Sequence, residues 1–389
     1  MPALVDNVAR LETESAFAVL SRARELERAG VDVVHLEIGQ PDFPTPPHVV
    51  AAAEAALRAG ETGYCPTEGI PELREAAAAY LGESRGLTVD PGRVLVGNGA
   101  KPFLFFTILA CAGPGDEVIY PDPGFPIYRS AISWTGATPV ALRLREERGF
   151  SVDPGELEQL LTPSTKLIIL NSPNNPTGSV IPADDLSDLA ALLEPHDTWI
   201  LSDEVYSKLA YDGTPPSLAS RDALIDRTVL VDGCSKTFSM TGWRCGFAAV
   251  PEALVDPLTR FFVNCTSCVP PFVQRAAVAA LTGPMESVDL MRDEFSRRRE
   301  VVVAGLNELP GVTCQIPAGA FYAFPNVAGT GVGDEELARR LLDEAGVALL
   351  AGSSFGDQGA DHLRLSYAAS PKQLREALSR MLAVLERVL

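Results

Sequence analysis

Residues 232 to 247 read DGCSKTFSMTGWRCGF, which sets Lys236 between Ser235 and Thr237 and places Arg244 eight positions on. A lysine amine attacks carbonyl carbon only after losing its proton, and desolvation or a neighbouring cation favours that loss. Arg244 can supply the cation, and its planar fork of donors suits a phosphate. A surface loop with two cations is the plain alternative. The sharper reading is a lysine that bonds covalently to a phosphorylated aldehyde cofactor.

Other polar residues stand at the ends of apolar runs. TWILSDEVY leaves Asp203 at the end of one, where an unpaired carboxylate is costly. It reads as a helix N-cap or as an anion facing a protonated heteroaromatic nitrogen, and Tyr206 can reach the same ligand. TKLIILNSPNNPTG ends in an Asn- and Pro-rich turn containing Asn175, which suits a simple turn and ligand hydrogen bonding equally. RVLVGNGAK delivers Gly99, Ala100 and Lys101 to the start of a helical stretch, where small residues let N–H groups approach an anion. That segment is neither a Walker A loop nor a complete GxGxxG fingerprint. Phe125, in PDPGFPIY, offers an aromatic platform. Together these parts match a pyridoxal phosphate site, with a Schiff-base lysine and an acid opposite the pyridine nitrogen.

The elements that must position them alternate. Apolar runs RVLVGN, DEVIYPD, TPVALRL, TKLIILNSP, TWILSDEV, TVLVDG and GFAAV predict strands. KPFLFFTILACAG and ADDLSDLAALLEP predict helices between them. Apolar strands separated by helices imply a mostly parallel sheet covered on both faces, with ligands at the carboxyl ends of the strands. LETESAFAVLSRARELERA, PPHVVAAAEAALRAG and IPELREAAAAYLGESRG predict helices upstream, with VVHLEIGQPDFPTP a short strand breaking into a loop. After about residue 280 the long charged helix SVDLMRDEFSRRREVVVAGLNEL leads into strand-like GAFYAFPN and HLRLSYAAS. Helices EELARRLLDEAG and PKQLREALSRMLAVLERVL complete an α+β lobe. The first helix is expected to join that lobe.

The 389 residues exceed one compact core, so two domains are expected. A net charge of −19 disfavours a nucleic-acid or anionic-membrane surface. The N-terminus has no apolar signal core and no run is long enough to cross a membrane. Seven scattered cysteines read as reduced cytosolic thiols. Cys265 and Cys268 form a lone CxxC and the four histidines show no ligand spacing, so no metal site is expected.

LEIGQPDFPTP, YCPTEGIPELR, GNGAK, NSPNNPTG, SDEVY, SKTFSMTGWRCGF and HLRLSYA occur in that order nearly end to end. With these motifs the chain resembles a class I/II aminotransferase of fold type I, in the aspartate aminotransferase superfamily, which uses pyridoxal 5'-phosphate. The resemblance implies an α/β large domain at 46–280 and a smaller α+β domain from 1–45 and 281–389. It implies that Lys236 bonds the cofactor, Asp203 faces the pyridine nitrogen, and Tyr206 and Asn175 reach the ring oxygen. Phe125 takes the stacking position. Gly99, Ala100, Lys101, Ser235 and Arg244 form the phosphate cup, with the Lys101 side chain idle if its backbone does the binding. Tyr64 reaches the phosphate across a dimer interface, and Arg364, with Gly39 and Asn175, holds the substrate carboxylate. Gly233 stands where many relatives carry a hydroxyl.

The implied reaction moves the α-amino group of an L-amino acid to a 2-oxo acid with ping-pong kinetics, in a cytoplasmic homodimer with shared active sites. Ala16, Phe17 and Leu109, all apolar, fall near the expected pocket entrance, which argues against strict dicarboxylate specificity. A β-lyase, decarboxylase or oxidase on the same cofactor is the alternative, because fold does not settle outcome.

Overall fold

The computed structural model describes residues 5–388. The first four residues of the expected N-terminal arm, and Leu389 at the end of the expected last helix, lie outside the described residues. In chain order the strands are β1 Val34–His35, β2 Val94–Gly97, β3 Glu117–Asp122, β4 Thr138–Arg143, β5 Thr165–Asn171 and β6 Trp199–Asp203. They continue with β7 Thr228–Gly233, β8 Gly246–Ala249, β9 Tyr322–Ala323, β10 Val347–Ala348, β11 Leu350–Ala351 and β12 Leu363–Ser366.

The central sheet has the order β2-β8-β7-β6-β5-β3-β4. Its pairings are parallel except those of β8, which runs antiparallel to β2 and β7. The apolar runs are continuous because both faces are covered. In β5, Leu167 and Ile169 join Phe103, Leu104 and Leu258 on one face. Ile168 and Leu170 join Leu186 and Leu189 on the other. The first group comes from helices Lys101–Cys111 and Glu252–Cys265, the second from Ala183–Leu193.

The predicted helices form with trimmed ends. The first starts at Ser15, four residues later than its sequence suggested, and runs to Arg28. Pro71–Arg85 opens on proline, whose missing N–H has no partner there anyway, and stops at Gly86 with φ 68°. Helices Ile127–Thr135, Glu252–Cys265 and Pro271–Thr282 escaped the sequence reading, as did β10 and β11. Two-residue strands are too short for a periodicity to register. GAFYAFPN supplies only the two residues of β9, in an antiparallel sheet ordered β11-β12-β9. Ser15–Arg28 packs Ala23 against Val33, Leu342 and Ala348, and Arg22 pairs with Asp343 at 3.1 Å.

One buried polar cluster ties a flanking helix to the sheet. Arg85, last in its helix, donates from Nε to Glu204 Oε2 at 3.0 Å and from Nη2 to Asp232 Oδ2 at 2.6 Å. The same Nη2 reaches Ser207 Oγ at 2.9 Å. Glu204 lies just past β6 and Asp232 near the end of β7, so this guanidinium ties the two strand ends together. Removing it would strand two buried carboxylates. Arg85→Met should therefore destabilise the protein by about 3–5 kcal/mol. Denaturant unfolding followed by circular dichroism checks this, and a loss below about 1 kcal/mol would show the acids finding other partners.

Candidate active site

The carboxyl ends of the parallel strands open into a cavity of about 510 Å³. Five strands contribute through the turn that follows them: Ala100 and Lys101 after β2, Phe125 after β3, Asn175 after β5, Tyr206 after β6, and Ser235 and Lys236 after β7. Antiparallel β8 begins at this edge, so Arg244, just before it, arrives there too. Glu14, Ala16, Phe17, Gly39 and Gln40 cover the cavity from the N-terminal segment, and Tyr322 and Arg364 from the C-terminal lobe.

Lys236 sits in the short helix Cys234–Thr237 directly after β7. Its Nζ donates to the Gly39 carbonyl and lies 5.9 Å from the ring centroids of both Tyr206 and Phe321. Burial, aided by the cations of Arg364, Arg244 and Lys101, pulls its ammonium down to about 8, while Asp203 opposes. The ammonium thus gives up its proton well before an ordinary lysine does, which brings the neutral amine a carbonyl nucleophile requires within reach near pH 8.

Asp203 is the last residue of β6 and only 4% exposed. The hydroxyl of Tyr128 donates to its Oδ2 at 2.6 Å, and the Val205 N–H points at Oδ1 from 3.4 Å. Burial pushes the carboxyl up to about 6, against the pull of the Tyr128 and Val205 donors. A carboxylate held in that way gains from a cation beside it. Asn171 Nδ2 donates to the Asp203 carbonyl at 3.0 Å and fixes the backbone.

The turn after β2 makes a cradle that only small residues permit. A Cβ on Gly99, whose φ is +91°, would stand 2.4 Å from Arg244 Nη2. A Cβ on Gly246 would stand 2.4 Å from the Ala100 amide nitrogen. Arg244 itself takes the left-handed conformation, φ 55°, which folds its side chain back toward Asn98 and Thr241. At the opening of Lys101–Cys111 Pro102 has no N–H and the Phe103 N–H bonds the Ala100 carbonyl at 3.0 Å, which leaves the amides of Ala100 and Lys101 facing the cavity. Cationic fork and free amides together make an anion site. At Gly233 a Cβ would approach Gly246 Cα to 3.1 Å, so the missing hydroxyl has a steric reason here.

Arg364, on β12, is 4% exposed. Its Nη2 donates to the Glu37 carbonyl and its Nη1 approaches Asn175 Oδ1 at 3.4 Å. Its guanidinium lies 4.7 Å above the Tyr322 ring, and its Nε has no hydrogen-bond partner. A buried arginine with an open donor and no carboxylate partner is built for an incoming anion. The Tyr322 hydroxyl meets that of Tyr206 at 2.7 Å. It also explains Gly39, where a Cβ would stand 2.0 Å from that hydroxyl.

Of the residues singled out from sequence, Gly99, Tyr64 and Leu109 do not line this cavity; Gly99 stands behind Ala100, against the Arg244 guanidinium. Tyr64 is 91% exposed and projects from the surface. Leu109 lies eight residues into its helix, about 12 Å beyond Lys101 along the axis. Leu104, one turn in, lines the wall where Leu109 was expected. The Lys101 side chain, for which no partner was foreseen, pairs with Glu14. Tyr128, Tyr322 and Glu14 were missed. Tyr128 stands in PDPGFPIY, three residues past Phe125, so that motif held a signal; the other two come from distant segments and left none. Gly39→Ala should displace the Tyr322 hydroxyl and cost about 1–3 kcal/mol of stability. Thermal unfolding reads this, and an unchanged midpoint would show the tyrosine ring swinging clear.

Comparison with known proteins agrees with this geometry. The family described as "Aminotransferase class I and II" matches residues 31–381. An "Aspartate/prephenate aminotransferase" of Cereibacter sphaeroides is 41% identical, the match covering 98% of each chain. An "Aromatic-amino-acid aminotransferase 2" of Thermococcus litoralis is 40% identical over 91% of this chain and 92% of its own. The solved aspartate aminotransferase of Thermus thermophilus with maleate superposes with a TM-score of 0.94 at 38% identity, covering both chains in full. A cavity at the strand ends with a depressed lysine, and a match of this length and identity, lead to one conclusion: the chain belongs to the class I and II aminotransferases, and is a fold type I enzyme dependent on pyridoxal 5'-phosphate.

Proposed function

We propose that each of these side chains has a part in binding the cofactor or the amino acid. Arg244, Ser235 and the N–H groups of Ala100 and Lys101 take the phosphate, in the space that Gly99 leaves open. Phe125 faces the ring, Asp203 answers its nitrogen, and Tyr206 and Asn175 answer its oxygen. Arg364, Asn175 and Gly39 receive the substrate carboxylate. The support is the anion cradle at Gly99 and Gly246, the raised Asp203 carboxyl, and the open Nε of Arg364. Bound there, pyridoxal 5'-phosphate supplies an aldehyde that condenses with amines and a ring that withdraws electrons from the substrate Cα.

The chain's own residues do the rest. Lys236 holds the cofactor covalently and, once freed, moves the proton at the substrate Cα, for which its depressed pKa suits it. Asp203 keeps positive charge at the ring nitrogen, and Tyr128 keeps Asp203 in place. Arg364 fixes the amino acid by its carboxylate, so that Cα faces Nζ. The observation that carries this reading is one cavity holding Lys236, Asp203 and Arg364 on its walls.

The donor is proposed to be an L-amino acid with a neutral side chain, since Ala16, Phe17 and Leu104 line the remaining wall. Relatives named for aspartate, prephenate and aromatic amino acids leave room for that breadth. The enzyme is proposed to act as a homodimer, with exposed Tyr64 serving the neighbouring site. A cytoplasmic setting accords with seven free cysteines. Among the described residues no helix is long and apolar enough to cross a membrane. The proposed division into a large domain at 46–280 and a small one from both ends rests on one hydrophobic cluster. It joins Val34 and Leu36 to residues between Met291 and Leu385, with Tyr206 and Leu209 of the large domain packed against them.

Visible absorption tests the reading. The protein should take up pyridoxal phosphate to give a yellow band, absent in Lys236→Ala. Amino acids should bleach the band and a 2-oxo acid should restore it. A protein that stays colourless with added cofactor would overturn the reading. The capture rate should rise with pH through about 8, because the neutral amine is the nucleophile and is lost below that value. A flat profile from pH 6 to 10 would place the lysine elsewhere. Asp203→Asn should keep the fold and lower kcat by about 10²–10³-fold in steady-state assays.

A further inference from the structure

Glu14 comes from the segment before the first helix and reaches the cavity beside Ala16 and Phe17. Its carboxylate pairs with the ammonium of Lys101, which lies 5.2 Å from the Phe125 ring centroid. The two side chains are 24% and 38% exposed, which puts the pair at the cavity mouth. Arg364 and Tyr322, which line the same cavity, also feel the charge of Glu14, as the smallest of several influences. Among the described residues four cations line the cavity: Lys101, Lys236, Arg244 and Arg364. The proposed function occupies the side chains of the last three. Lys101 is the remaining cation that a second substrate carboxylate could meet, and Glu14 already holds it.

We propose that Glu14 is a specificity-determining residue which, by neutralising Lys101 at the cavity mouth, selects L-amino acids with uncharged side chains against dicarboxylates. This deepens the functional reading above and rests on it. With the α-carboxylate at Arg364 and Cα before Lys236, the side chain runs along Ala16, Phe17 and Leu104 toward the Glu14–Lys101 pair. An apolar side chain meets carbon walls and leaves the pair intact. An ω-carboxylate meets a cation whose charge is already balanced and a carboxylate that repels it, so it gains no net attraction. Taking Lys101 for itself would expel Glu14 toward solvent with no partner in the cavity.

The donor half-reaction separates the terms, because it uses the amino acid alone and no oxo acid. Single-turnover bleaching of the cofactor-loaded enzyme gives kcat/KM for phenylalanine and for aspartate. The wild type should favour phenylalanine. Glu14→Gln should raise the aspartate-to-phenylalanine ratio by about tenfold or more, and tighten binding of maleate, read by calorimetry, by a similar factor. Glu14→Asp, which keeps the charge, should stay near the wild-type ratio. Adding Lys101→Met to Glu14→Gln should abolish the gain. A wild type that prefers aspartate, a ratio and maleate affinity unmoved by Glu14→Gln, or a gain that survives loss of Lys101 would each overturn the role of Glu14 while leaving the aminotransferase reading standing. A protein that transfers no amine from either donor would overturn both.

Discussion

The parallel register of β5, β6 and β7 is the constraint on which the site depends. Asn171 pairs with Asp203 across β5 and β6, and Asp203 with Val231 across β6 and β7. Side chains alternate along a strand, so a slip of one residue would turn Asp203 from the cavity to the opposite face. The register is held by apolar pairs on both faces: Leu201 and Val229 on one, Ile200 and Leu170 on the other. At its end Asn171 adds a side-chain bond to the Asp203 carbonyl, and Arg85 binds Glu204 just past β6 and Asp232 near the end of β7. The placement of one carboxylate is thereby backed by most of the sheet.

Charge inside the cavity follows from that placement. Four cations converge on a space where few carboxylates face them, and burial plus mutual repulsion act on the most reactive one. Lys236 moves down to about 8 while buried Asp203 moves up to about 6. Both shifts lean toward the neutral forms, the direction desolvation demands. A ligand bringing an anionic phosphate, an anionic carboxylate and a cationic ring nitrogen would balance the set. That balance is the physical case for the proposed arrangement of cofactor and substrate.

The cover over the strand ends comes from residues remote in sequence. The segment around Glu14 to Gln40 and the strands β9 and β12 are separated by about three hundred residues, yet they meet over one cavity. Contacts there are close. Gly39 admits the Tyr322 hydroxyl, and Arg364 binds the carbonyl of Glu37. The wall proposed for the substrate is therefore built in part by segments that carry no strand-end chemistry of their own.

By itself the sequence determined the alternation of apolar strands and helices and the residues at the strand ends. Lys236, Asp203 and Asn175 were legible because each closes or follows an apolar run, and Arg244 because it stands just before one, a local pattern that burial on both faces of a sheet produces. Only the tertiary structure decided the pairings that span the chain. Tyr128 reaching Asp203, Tyr322 filling the space above Gly39, Glu14 taking Lys101 and Arg85 clamping two acids join residues 75 to 283 positions apart, and local spacing carries no trace of them. Leu109 shows the same limit in reverse. It lies in the right helix but on the wrong turn, because the helix axis, set by packing on the sheet, presents Leu104 to the cavity instead.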